Sequence, residues 1–293
     1  MSLIKMQHRF HAMGGPCEIC LYLDVNQKNI LLKLEAEVRR LESKYSRYIS
    51  DSIIQKINHG SHKKIKVDAE TAGLFNYAAN CYQLSNGLFD ITSGVLRSIW
   101  DFKVQKIPSQ KSIEKKLKNI GWHNVFWDGE YIQLRKNMEI DFGGIGKEYA
   151  VDVLARLCLQ HNILHGLINL SGDIRVLGAH PNGDAWRVGI QHPRIKNTAI
   201  ANIDIKQGSL ASSGDYERFL MFNSQRYCHI LNPLTGWPAK NISSVSIQTD
   251  ECLVAGSLST IAMLKGIDAV PWLSEMACEY LVIDDAMNIH QSF

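Results

Sequence analysis

A few short segments of this 293-residue chain hold the residue types from which a reaction centre can be built. Gly143-Gly144-Ile145-Gly146-Lys147 opens a helical pattern, so its backbone N–H groups and its lysine are placed to meet a phosphate. It is not a Walker A loop, which needs a glycine and a serine or threonine where Asp141 and Glu148 stand. It is not a dinucleotide fingerprint either, because Tyr149 takes the place of the third glycine. Asn169-Leu170-Ser171-Gly172-Asp173 sets an amide and a carboxylate on a glycine turn, and Ser212-Ser213-Gly214-Asp215-Tyr216 repeats that chemistry. His229-Ile230-Leu231-Asn232-Pro233-Leu234-Thr235-Gly236 closes a strand-like run with a histidine and a Pro/Gly turn. Any one of these segments alone is as well explained by a loop. The chain has no Gly-x-Ser-x-Gly elbow and no His-Glu-x-x-His, which removes support for a serine hydrolase or a zincin.

The elements that must position these segments follow from periodicity. Ile30, Leu34, Val38, Leu41, Tyr45 and Tyr48 recur at helical steps, with Glu35 four residues before Arg39. A second helix starts at Asp68 as N-cap and runs through Leu74, Phe75, Ala78, Ala79 and Tyr82 to Asn86-Gly87. A third opens after Gly146, and a fourth, over residues 255–265, stops at Gly266. Strand-like runs cover residues 17–23, 125–127, 131–134, 138–142, 166–170, 186–190, 227–231, 245–248 and 280–283, with Asp128-Gly129 as a hairpin turn. Strands and helices are interspersed without a regular βαβ period, so the expected class is α+β with a mixed sheet, as one domain over residues 1–293.

Composition narrows the function classes. Lys and Arg exceed Asp and Glu by only 3, and basic residues run no longer than pairs such as Lys63-Lys64, so no nucleic-acid stripe is expected. The sequence shows no apolar run of membrane-spanning length, so no membrane span is expected. The N-terminus lacks a signal-peptide pattern and a lipobox cysteine, and the reading is cytoplasmic. The 7 cysteines are an odd number, which argues against a disulfide framework. Cys17 and Cys20 lie three apart in a strand and so face opposite sides, a poor geometry for a shared metal.

Taken in order, the segments resemble the ApbE family, flavin transferases that move FMN from FAD onto a target protein. The resemblance starts at Met13-Gly14-Gly15 and continues through Ser46–Ser52 and Asn58. It then takes in Gly87-Leu88-Phe89-Asp90-Ile91-Thr92-Ser93-Gly94-Val95-Leu96 with Trp100, followed by residues 141–152. The two glycine turns, the His229 block and Ala255-Gly256-Ser257-Leu258-Ser259-Thr260 complete a collinear series over about residues 8 to 285.

The resemblance implies a flavin cleft between two subdomains, with FAD contacts at Met13, Tyr48, Leu88, Phe89, Asp90, Asp141, Lys147 and Ile230. It implies FAD as substrate, release of AMP, and a phosphoester to a Thr or Ser of an acceptor protein. It implies magnesium held by a Gly144 oxygen and by an Asp and a Thr four residues apart, of which Thr260 is present here. His229 matches a histidine suited to acid/base assistance or phosphate contact. This chain departs from the family at Gly256, where the ligand Asp stands, and at Glu148, where Lys-Gly-Tyr reads Lys147-Glu148-Tyr149. Asp173, Asp250 and Glu251 are the replacements considered for the missing carboxylate, and restoring it by Gly256→Asp is expected to raise magnesium-dependent activity. Were no carboxylate to reach that position, a FAD-binding protein without transfer activity would be the alternative. Self-modification at Thr92 or Ser93 is set aside, because that segment already belongs to the cofactor block.

Overall fold

A computed structural model describes residues 3–60, 62–102, 104 and 106–293. The chain opens with the hairpin β1 (Ile4–Ala12) and β2 (Gly15–Leu23), followed by α1 (Ile30–Tyr45), α2 (Ile53–His59), β3 (Ile65–Lys66) and α3 (Ala69–Leu84). After a 3-10 segment, Ile91–Ser98, come α4 (Gln110–Leu117), β4 (Phe126–Trp127), β5 (Tyr131–Gln133) and α5 (Gly146–Gln160). Strands β6 (Gly166–Leu170), β7 (Asp173–Gly178), β8 (Trp186–Gln191), β9 (Ala199–Ile205) and β10 (Gly208–Gly214) follow. The rest is β11 (Phe219–Phe222), β12 (Gln225–Cys228), β13 (Ile242–Thr249), α6 (Cys252–Lys265), α7 (Ala269–Ser274), β14 (Glu279–Asp284) and β15 (Ile289–Gln291).

Eight strands form one sheet in the order β1-β2-β6-β7-β10-β13-β14-β15. The α+β class holds, and every strand pairing among the described residues is antiparallel where a mixed sheet was expected. The period of two sorts β2 onto two cores: Cys17, Ile19, Leu21 and Leu23 face the helices, while Cys20 faces the layer formed by β8 and β9. The two cysteines thus lie on opposite faces, as their spacing requires. The helical face holds Leu34, Val38 and Leu41 of α1, Leu74 and Phe75 of α3, Val151 and Leu154 of α5, and Ile261 and Met263 of α6, all buried. A third cluster gathers Val95, Leu96, Trp100, Ile113 and Leu220, and Trp100 Nε1 donates to Gly236 O at 2.8 Å. The segment Ile91–Ser98 bridges these cores, since Ile91 belongs to the first and Val95 and Leu96 to the third.

Several sequence expectations shift. Helix α1 ends at Tyr45, because Ser46 turns to an extended conformation (ψ 127°), and Tyr48 lies in the loop beyond it. Residues 138–142 form no strand: the Asn58 side chain, not a neighbouring strand, donates to Ile140 O (3.0 Å) and accepts from Ile140 N (2.7 Å). The strand before His229 ends at Cys228. The stretch Cys252–Ser274, α6 running through a 3-10 turn into α7, contains an 18-residue window of mean hydropathy 1.4 and is long enough to cross a membrane, contrary to the sequence reading. Most of it is buried in this protein, and α6 packs on β10, β13 and α5, so its apolar character on all sides is that of a core helix.

Candidate functional site

The loop before α5 is the centre of the site. Ile145 N and Gly146 N both donate to Phe142 O (3.0 and 2.7 Å), which folds the chain tightly into the helix. A Cβ at Gly143 would lie 3.1 Å from Arg97 Nη2 and from Asp141 Oδ1, so the loop runs close to this charged pair and a larger residue would crowd it. Asp141, whose side chain is 12% exposed, accepts from Arg47 Nη1 at 3.1 Å and pairs with Arg97 Nε at 3.3 Å. The Phe89 ring lies beneath Gly144, 3.4 Å from where a Cβ would stand.

Lys147 projects from the first turn of α5 onto Asp173, at the start of β7, and reaches Ser171 O at 3.4 Å. Burial alone would lower the Lys147 pKa, but the carboxylates of Asp173 and Glu148 outweigh it and hold the amine charged. Glu148 is itself buried, and Asp173 faces it. Burial first, and then the like charge of Asp173, push the Glu148 pKa up. Its Oε2 has no hydrogen-bond partner among the described residues.

His229 sits where the first and third cores meet: Ile230 packs on the former, Tyr227 and Leu231 on the latter. Its backbone N–H donates to Arg218 O at 2.9 Å, and its buried Nδ1 has no partner among the described residues. Burial, followed by the nearby charges of Arg218 and Arg97, pushes its pKa down to about 4, so the imidazole is neutral at pH 7. The Arg218 guanidinium also approaches the β1–β2 turn, 3.6 Å from a Cβ at Gly14. At that turn Met13 takes a positive φ of 52°, and its N–H donates to Glu42 Oε1 at 2.6 Å.

The sequence-derived residues divide by what holds them. Met13, Phe89, Asp141, Lys147, Gly144, His229 and Ile230 take part in or adjoin the contacts just described. Leu88 is half-buried beside Phe89, and Tyr48 is 79% exposed with Arg47 6.0 Å from its ring centre. Asp90 is engaged by the fold: it caps the 3-10 segment, accepting from Thr92 N (2.8 Å), Thr92 Oγ1 (2.6 Å) and Trp122 N (3.0 Å). Thr92 is wholly buried and bound to Asp90, in keeping with setting it aside as a self-acceptor. Thr260 stands on α6 with Oγ1 3.3 Å from Ser213 Oγ of β10. Sequence reasoning missed Arg97, Arg218 and Glu148. The available signal was position: Arg97 directly follows the Gly87–Leu96 block, and Arg218 lies two residues past Tyr216.

The profile of the ApbE family matches residues 13–282. The chain belongs to the ApbE family. It is 26% identical over 250 residues to the FAD:protein FMN transferase of Vibrio cholerae serotype O1, covering 82% of this chain and 75% of that protein. The crystal structure of the ApbE protein from Thermotoga maritima superposes with a TM-score of 0.93 at 30% identity, covering 99% of this chain and 97% of that one. The flavin transferase ApbE from Vibrio cholerae shares the fold, with a TM-score of 0.87 at 21% identity, covering 99% of this chain and 97% of that one. The structure brings Glu148 of α5 and Gly256 of α6 into contact, the Glu148 side chain lying where a Cβ at Gly256 would stand.

Proposed function

We propose that this chain is an FAD:protein FMN transferase. It takes FAD as substrate, cleaves the phosphoanhydride, releases AMP and joins the FMN phosphate to a Thr or Ser hydroxyl of an acceptor protein. The observation that carries this reading is a neutral histidine, His229, beside the guanidiniums of Arg218 and Arg97, with Arg97 paired to Asp141 in the loop that leads into Lys147. A pyrophosphate needs such charge neutralisation, and an incoming hydroxyl needs a base.

In this mechanism Lys147 and the start of α5 hold the pyrophosphate. Asp141 is fixed between Arg47 and Arg97 and accepts from Gly143 N at 2.9 Å, which keeps the loop shaped for close approach. Met13, Leu88, Phe89 and Ile230 supply apolar surface for the flat rings, with Tyr48 at the rim. His229, neutral and with an Nδ1 that has no partner among the described residues, takes the proton of the acceptor hydroxyl as its oxygen bonds to the FMN-side phosphorus. The P–O bond to the AMP phosphate breaks, and AMP leaves with the bridging oxygen.

The oxygen donors suit magnesium by type: Glu148 Oε2 is buried and has no hydrogen-bond partner among the described residues, and Gly144 O and Thr260 Oγ1 are hard oxygens. When bound, magnesium neutralises charge on the phosphate oxygens. The alternative of a FAD binder without transfer rested on the lack of a carboxylate at 256, and the Glu148 side chain beside that position supports the transfer reading over it. The test is AMP release from FAD with magnesium, followed by chromatography, with and without a peptide of the form Asp-x-x-Thr-Gly-Ala-Thr. Release that depends on the peptide's hydroxyl supports transfer; release indifferent to it, or none at all, counts against it.

A further inference from the structure

Helix α6 is buried almost all round, and a glycine inside it costs about 1 kcal/mol relative to alanine. The structure gives a reason for Gly256. The side chain of Glu148, from α5, fills the space a Cβ would need: that Cβ would overlap Glu148 Cγ and lie 3.1 Å from its carboxyl carbon and 3.2 Å from Oε1. Glu148 is only 8% exposed, and its Oε2 is enclosed without a hydrogen-bond partner among the described residues. Asp173 faces it, and Lys147, paired to Asp173, brings one positive charge to two carboxylates. A buried carboxylate oxygen left without a partner is costly, and a cation completes such a site. Thr260 stands one helical turn beyond Gly256, on the same side of α6.

We propose that Glu148, reaching across from α5, supplies the carboxylate that α6 lacks at position 256, and with Thr260 Oγ1 forms a site for a divalent cation that prefers hard oxygen ligands. The carboxylate is thus delivered from a neighbouring helix, and Gly256 is the space that admits it. Among the described residues no three His, Cys, Asp or Glu side chains form a metal set; this site uses one carboxylate with hydroxyl and carbonyl oxygens. The expectation that Gly256→Asp alone would raise activity is reversed, because the new side chain would enter the volume Glu148 already occupies.

The proposal rests on the transferase reading for what the cation does there, but its test does not depend on turnover. Mn2+ binding is measured by electron paramagnetic resonance on the full chain with FAD present, for the wild type, Glu148→Gln, Gly256→Asp and the double variant Glu148→Gly with Gly256→Asp. Melting temperatures of the same proteins are taken without metal. Glu148→Gln, which keeps the shape, should weaken Mn2+ binding about tenfold or more. Gly256→Asp should melt below the wild type, and the double variant should regain both melting temperature and Mn2+ binding. Unchanged Mn2+ binding in Glu148→Gln, no Mn2+ binding by the wild type, or a double variant no better than Gly256→Asp would each overturn the proposal. Should this pattern hold while the wild type transfers no FMN, the transferase reading falls and the cation site stands.

Discussion

Protonating His229 is the perturbation whose size the structure allows to be worked out. Its folded pKa lies at about 4 against an ordinary 6.5, lowered by burial and by Arg218 and Arg97. In the window between those values the unfolded chain binds a proton that the folded protein refuses, so stability falls as pH drops through it. By pH 5 the linkage amounts to about 2 kcal/mol, and partial solvent access of the ring reduces it toward about 1 kcal/mol. Urea unfolding at pH 7 and pH 5 of the wild type and of His229→Gln should therefore show the wild type losing roughly 1–2 kcal/mol more than the variant. The same lowering keeps the ring a competent base in mild acid, so the acidic limb of FMN transfer should lie below about pH 5. Equal losses in the two proteins, or an acidic limb centred at the ordinary histidine value, would refute the argument that burial and the two arginines hold this ring neutral.

Other outcomes follow from the same contacts. FAD should bind markedly tighter than FMN by calorimetry, because Lys147 and the start of α5 are placed to hold a pyrophosphate that FMN lacks; equal affinities would count against the cleft assignment. Asn58→Ala removes both hydrogen bonds that clamp Ile140, next to Asp141, and should cost about 2 kcal/mol in denaturant unfolding along with some FAD affinity. An unchanged stability would mean the clamp is not what shapes that segment. Asp90→Ala deletes three accepted hydrogen bonds and should lower stability by about 2–3 kcal/mol in thermal unfolding. A variant that melts like the wild type but no longer binds FAD would instead make Asp90 a flavin contact.

What the sequence discloses and what it hides have physical causes. Local signals were legible: Asp68 caps α3 by accepting from Thr71 N at 2.9 Å, Asp128-Gly129 joins β4 to β5, and α6 stops at Gly266 with φ 60°. Each of these depends on a few adjacent residues. Residues 138–142 read as a strand because they alternate, but strand pairing needs a neighbour, and here the Asn58 amide takes that place. Ser212–Gly214 of the Ser212–Tyr216 segment proved to be the end of β10, with Ser212 Oγ 2.7 Å from Ser246 Oγ of β13 and Ser213 Oγ 2.8 Å from Ser259 Oγ of α6, contacts across sequence that local residue types do not disclose. The candidate site was legible as blocks in a family order, but not its charge balance. That Glu148 answers Gly256 is a contact between two helices distant in sequence, and each position read alone is only a departure.

Whether the chain transfers FMN is decided by the intact mass of an acceptor peptide after incubation with the full chain, FAD and Mg2+. Transfer gives a mass increase equal to one esterified FMN, located by fragmentation on the Thr hydroxyl, with AMP formed in equal amount and the product absent when Thr is replaced by Val. An unmodified peptide in the presence of bound FAD and Mg2+, across acceptors that carry the hydroxyl, would contradict it.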